Sequence, residues 1–207
     1  MLRPVTTPFL LVLLLVAVPS AAADYWPTDT ARTYVFAGDL EEIRLVIDPR
    51  PDDTVDFVVV SEGCDIRWNG SFDTLGRVEV STASFFCPGV VDPALPLIFD
   101  PGSILFDPAT IGGNIQLLQA ETEDGAVFDI SVRIGAPRTI EVGGTNYETV
   151  LFELGIQDPL LQSPFVFADL NIDDGPVRVN GLDRTEVLSG VVGQAESSWG
   201  SVKARFD

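Results

Sequence analysis

Histidine is missing from all 207 residues, methionine occurs once, cysteine twice, and the single lysine is Lys203. Without an imidazole there is no Ser-His-Asp or Cys-His nucleophile and no His-ligated metal, because each needs that ring as base or ligand. Basic charge is scarce as well: 12 Lys and Arg stand against 31 Asp and Glu, a formal net charge of −19. Nucleic acid binding requires clustered cations that displace phosphate counterions. Here the arginines stand singly among acids, as in Glu42-Ile43-Arg44 and Asp65-Ile66-Arg67, which excludes nucleic acid as a partner and predicts a self-repelling surface. After Val18 no apolar run approaches the ~20 residues of a membrane-spanning helix, so no integral membrane anchor is expected. Gly112-Gly113 and Gly143-Gly144 precede strand patterns instead of helices. No phosphate cradle results, and no cofactor is implied.

The first 23 residues are of another kind. Met1-Leu2-Arg3-Pro4 supplies a positive start, Phe9 to Val18 is apolar without interruption, and Ala21 and Ala23 are the small residues that precede a cleavage point. This is the pattern of a cleaved secretory signal, with Asp24 where a lipoprotein would carry cysteine. The expected mature chain is 24–207, a single domain by length, exported without a lipid and either periplasmic or secreted. In such a compartment Cys64 and Cys87, with 22 residues between them, read as one disulfide. A redox-active pair would need a C-x-x-C spacing that the chain lacks.

After Asp24 the apolar stretches are short, rich in β-branched and aromatic residues, and cut by Gly, Pro or Asp, which is the signature of strands. Segments 33–37, 41–48, 55–62, 77–82, 116–122, 126–134, 138–142, 147–156, 165–172, 176–179, 185–192 and 198–206 fit it. Glu123-Asp124-Gly125, Gly143-Gly144 and Asp173-Asp174-Gly175 fall between such segments as hairpin turns. From Val127 to Ile134 polar and apolar residues alternate, giving one dry face and one wet face, as in an antiparallel sheet. The proline-rich stretch 88–108 predicts an irregular crossover with a short turn near Pro108. About a dozen strands joined by hairpins cannot lie flat. The expected fold is therefore all-β, one mainly antiparallel and strongly curved sheet forming a half-barrel or sandwich.

Motifs that carry chemistry are few. Asp169 to Gly175 alternates oxygen ligands before a glycine, as calcium loops do, but the glycine comes one position late and Asn180 stands where a bidentate Glu belongs. A hairpin with Gly175 in the left-handed region explains the same residues. With 31 carboxylates, pairs suited to glycoside hydrolysis arise by chance. Asp65, Asp129 and Glu153 alternate with apolar neighbours and belong on the wet face, so no catalytic residue is assigned. The aromatic inventory is the more informative feature. Phe99, Phe165 and Phe167 form a candidate ligand face if the last two project toward the apolar stretch Leu95 to Phe106. Apolar pockets with few polar groups suit lipid-like molecules, and the same rings equally suit an ordinary core.

Tyr25-Trp26-Pro27 followed by Tyr34-Val35-Phe36 resembles the opening of a family of uncharacterised exported bacterial proteins, often lipoproteins. Their mature chains begin aromatic-x-Pro-Leu, then Gly-Asn-x-Trp-x-Tyr before the first strand; Thr28, Ala31-Arg32 and Tyr34 stand here at the Leu, Gly-Asn and Trp positions. Val142 to Val150 is similar to the family's Val-Pro-Ala-Gly-x-aromatic turn, and Asp174-Gly175-Pro176-Val177-Arg178 to its closing Gly-x-Gly-x-Val segment. The resemblance implies a strongly curved antiparallel sheet like the half-barrel of the periplasmic lipoprotein carriers, with no family-wide activity and no catalytic residues.

The combined expectation is an exported, soluble binding or envelope-structural module. Its expected partner is an apolar small molecule held on a concave sheet face, or another envelope protein. The alternative, from a different class, is a carboxylate-dependent hydrolase such as a glycosidase.

Overall fold

Wherever apolar residues recur at every second position, the chain is extended and turns them to one side. The computed structural model describes residues 25–39, 41–61, 65–73, 75–87, 91–156 and 164–190. Fourteen strands run through them: β1 (Arg32–Ala37), β2 (Glu42–Pro49), β3 (Thr54–Ser61), β4 (Asp65–Phe72), β5 (Val78–Cys87), β6 (Val91–Phe99), β7 (Ile104–Phe106), β8 (Gln116–Thr122), β9 (Val127–Ile134), β10 (Arg138–Val142), β11 (Thr145–Ile156), β12 (Pro164–Asn171), β13 (Gly175–Val179) and β14 (Leu182–Ser189). Among the described residues one 3-10 turn, Pro108–Thr110, follows β7 and is capped by the Asp107 carboxylate, which accepts from the Ala109 N–H.

The strands form one antiparallel sheet, and the sheet closes on itself. From β11 the ladder passes through β12, β13, β14, β1, β2, β3, β4, β5, β6 and β8 to β9. β9 then pairs back onto β11 through Ile134–Phe152 to Ile130–Ile156. The curvature expected from the sequence thus goes to full closure, a twelve-strand barrel with no open edge along the closed ring. β10 pairs with the first residues of β11, beyond the ring, and β7 lies against the start of β5.

Turn chemistry sets the registers. Gly143 and Gly144 both have positive φ (57° and 81°), the two left-handed positions of a hairpin turn whose twist matches its flanking strands. The expected crossover at 88–108 is instead mostly strand. Pro93 and Pro96 are tolerated in β6 because its ladder to β8 covers only Leu97 to Phe99, so both prolines precede the doubly paired stretch and cost β8 no donor. β4 also extends beyond the segments delimited above; its inward Ile66 and Trp68 alternate with Asp65, Arg67 and Asn69. Segment 198–206 lies outside the described residues.

Inside the ring is the apolar core, including Tyr34, Phe36, Ile43, Leu45, Phe57, Phe99, Phe106 and Phe152. The alternate positions carry charge, among them Glu42, Arg44, Asp56, Arg67, Asp129 and Glu153. A transmembrane barrel has the opposite polarity, apolar outside and polar within. No helix among the described residues is long and apolar enough to cross a membrane.

Candidate functional site

Eight strands enclose a lumen that their own side chains just fill, and twelve enclose more. The surplus room here is taken by a residue that belongs to no strand. Tyr25, Trp26 and Pro27 precede β1, and Trp26 is buried at the centre of the core, 7% exposed. Its indole meets Phe57 of β3 at 5.3 Å, Phe152 of β11 at 5.8 Å and Phe106 of β7 at 6.1 Å between ring centroids, each near edge-to-face. Such pairs contribute roughly 0.5–1.5 kcal/mol each beyond area burial. Tyr25 covers Phe106 from the other side at 5.5 Å, and burial pushes its phenol pKa up.

Beside the indole lies a cavity of about 30 Å³ whose walls include Trp26, Phe57, Trp68, Phe152, Leu154 and Val166. Every lining side chain is apolar apart from the indole nitrogens of Trp26 and Trp68, so the void is dry. The Trp26 Nε1–H is buried and has no hydrogen-bond partner. A stranded donor of this kind costs about 1–3 kcal/mol.

At the end where β1 and β13 begin, Pro27 and Tyr34 pack on Gly175. Gly175 has φ +70°, and a Cβ placed on it would stand 2.9 Å from Pro27 Cδ and 3.0 Å from the Tyr34 hydroxyl. Only glycine supplies both that conformation and that clearance. The Arg184 guanidinium spans the gap where β13 and β14 diverge. It donates to the carbonyls of Asp174 (2.7 Å) and Pro176 (3.1 Å) and lies over the rings of Tyr34 and Tyr147, 6.0 and 5.8 Å from their centroids.

Two polar sites lie on the outer wall. On one side Asp169 is 2% exposed although it points outward from β12. Arg138 reaches over from β10 to donate Nε (2.8 Å) and Nη2 (2.5 Å) to one carboxylate oxygen, which also accepts from Thr149 Oγ1 at 3.3 Å. Arg178 Nη2 donates to the Glu141 carbonyl at 2.9 Å, so the β10–β11 hairpin folds back over this wall. On the other side an open crevice is lined by Arg50, Asp52, Thr54, Asp56 and Asn69. Arg50 pairs with Asp56 at 2.5 Å and with Asp48 at 3.4 Å, and Asn69 Nδ2 donates to Asp56 at 2.7 Å. The Thr54 hydroxyl and N–H hold the Asp52 carboxyl below its ordinary range.

The sequence-derived candidates are distributed unevenly over these places. Phe99 lies inside the ring, 6% exposed. Phe167 does not face it: Val166, Ala168 and Leu170 point inward, and Phe167 stands on the outer wall at 37% exposed. The strand period puts the alternate set of residues inside, which corrects the candidate ligand face. The Phe165 side chain lies outside the described residues. So does Cys64, and Cys87 is described in its backbone alone; the β4–β5 ladder pairs Asp65 with Phe86, and in the sequence Cys64 precedes the one and Cys87 follows the other. In the calcium-like stretch Asp169 is bound to Arg138, and the Asn171 side-chain oxygen accepts the N–H groups of Asp173 and Asp174, both at 2.9 Å, as a turn cap. Trp26 was visible in the sequence only as part of an aromatic motif. No strand pattern surrounds it, so no local signal marks it as a filler of the lumen.

Compared with family models, curated proteins and solved structures, the chain matches none.

Proposed function

We propose that this chain is an exported, non-catalytic binding module whose barrel interior seats one apolar molecule in the place that Trp26 fills. The observation that carries this reading is the indole itself. Among the described residues it is the buried core aromatic brought in by a segment outside the ladders, it borders a dry void, and its N–H is left without an acceptor. A void of about 30 Å³ is too small for a metabolite, so entry requires the indole to leave. Residues 25 to 30 are the cheapest part of the core to move, because no β-ladder has to break. The apolar lining selects hydrocarbon or aromatic character, and the closed ring sets a narrow, compact shape.

Export rests on the leader 1–23 and on the cysteine pair. A Cys64–Cys87 bridge continuing the β4–β5 register would close a 22-residue loop and restrain the unfolded chain by roughly 3 kcal/mol; non-reducing peptide mapping should recover the linked peptides. The hydrolase reading has less support. It requires two carboxyls held at different pKa across a substrate cleft, whereas the acids of the Arg50 crevice are tied to Arg50, Thr54 and Asn69.

The reading is tested by titrating the mature protein with naphthalene while following tryptophan emission and thermal unfolding. Saturable binding, a raised Tm and a red-shifted emission are expected. No change in Tm at saturating naphthalene, with no apolar molecule recovered by solvent extraction of freshly exported protein, would overturn it.

A further inference from the structure

Strand parity leaves one part of the outer wall unexplained. On β1, β2 and β3 the inward residues Tyr34, Phe36, Leu45, Ile47, Phe57 and Val59 belong to the barrel core. The residues between them face out, yet Thr33 is 0%, Val46 2%, Val58 3% and Val35 8% exposed. Thr33 pairs with Val46, and Val46 with Val58, so three of these residues form one row across the three strands. Elsewhere on the same wall outward apolar residues are open: Val127 is 61% and Leu117 55% exposed. Neighbours within a ladder therefore do not by themselves hide a valine, and ladder pairing alone does not account for the buried row across β1–β3. Among the described strands β2 packs on β1 and β3, and β3 on β2 and β4, its ladder neighbours.

The end of β14 lies beside the first residue of this row. Thr33, facing out, donates its hydroxyl to the Gly190 carbonyl at 3.0 Å, and Gly190 N–H donates to the Ala31 carbonyl at 2.7 Å. Gly190 has φ +85°. The chain thus leaves the barrel over Thr33, at the first position of the buried row. Crossing from Thr33 to Val58 spans two inter-strand spacings, about 10 Å, which three or four extended residues cover. Residues 191–207 supply ample length and apolar contacts, opening with Val191-Val192 and carrying Trp199, Val202 and Phe206.

We propose that the segment 191–207 docks across the outer face of β1–β3 and buries Thr33, Val35, Val46 and Val58, as a strap independent of the interior seat. The test compares mature 24–207 with a chain ending at Gly190, by thermal unfolding, binding of the dye ANS and light scattering, together with trypsin cleavage after Lys203 and Arg205. Expected results are a monomeric 24–207 with little ANS binding and slow cleavage. The shortened chain should lose roughly 5 °C or more of Tm, bind ANS, and recover when the 191–207 peptide is added. Val58→Lys in the full mature chain supplies a variant that keeps the segment. It should speed trypsin cleavage at least tenfold, and this arm stands even if the shortened chain does not fold. Equal Tm and ANS binding with and without the segment would overturn the proposal. So would ANS binding to 24–207 that disappears in the uncleaved 1–207 chain, which assigns the face to the leader, or a dimer of 24–207 that Val58→Lys dissociates, which assigns it to a second copy.

Discussion

The barrel buries two things in opposite ways. In the lumen, Trp26 meets Phe57, Phe106 and Phe152 edge to face, and its one polar atom has no partner. On the outer wall, Asp169 is just as hidden, and its carboxylate accepts Arg138 and Thr149 through one oxygen. Burial of apolar area rewards any ring of suitable size, while burial of a charge is tolerated only when named partners are in place. The proposed seat therefore asks of the interior an exchange that the outer site does not allow. On the proposed reading a molecule of the right shape takes the place of the indole, whereas Asp169 depends on the cation that Arg138 supplies and on Thr149.

The largest effect expected is from Trp26→Ala, which removes the central filler and all three ring contacts. Denaturant melts should show a loss of about 3–5 kcal/mol, moderated by recovery of the cost of the stranded N–H. A loss under about 1 kcal/mol would mean that the lumen collapses without it and that no seat exists.

Next comes Arg138→Ala, which leaves the Asp169 carboxylate buried beside Thr149 alone. Because Arg138 is half exposed and water can replace part of it, the expected loss is roughly 2–3 kcal/mol instead of the full value for a buried pair. Adding Asp169→Asn to that variant should restore most of it. Failure of the second change to rescue would show that Arg138 acts through packing of the β10–β11 hairpin and not through charge.

Phe167→Ala sharpens the same contrast from the side of the wall. With the ring on the outer face and 37% exposed, unfolding should become easier by only about 1 kcal/mol, far less than for Phe57→Ala inside the ring. Equal losses for the two would contradict the assignment of the faces.

The smallest effect is one of pH. Asp65 lies on the outer wall, half-buried, and desolvation raises its carboxyl pKa against the lowering pull of Arg67. A carboxyl whose folded pKa exceeds its unfolded one favours folding below the unfolded value and loses that contribution as pH rises through the folded one. Asp65→Asn should therefore be slightly more stable than the parent at pH 7, with the advantage disappearing below about pH 3.5. An advantage that persists unchanged into acid would remove desolvation as its cause.

Much of this wall was legible in the chain. Alternation marked β9, β10 and most of β11, and the glycine turns fixed their hairpins, because period and left-handed φ are local properties. The strand β6 was hidden by Pro93 and Pro96, whose tolerance depends on where the β8 ladder begins, a fact of tertiary structure. The face of Phe167 was misread because a continuous apolar stretch such as Phe165-Val166-Phe167-Ala168 gives no phase; only closure of the barrel selects Val166 and Ala168 as the inner set. Trp26 carried no period at all. That a residue before the first strand fills the lumen follows from the number of strands in the ring, which no local pattern encodes.

The claim that the interior is an exchangeable seat is tested most directly by Trp26→Gly titrated with indole and with naphthalene, reading Tm and calorimetric binding. Both compounds should bind saturably and restore much of the lost Tm. Naphthalene should bind at least as tightly as indole, because it fills the same space without stranding a donor beside Phe57 and Phe152. Absence of binding by either compound to a folded Trp26→Gly protein would contradict the account, as would indole binding much more tightly than naphthalene, since that requires an acceptor within reach of the N–H and the Trp26 Nε1–H has none.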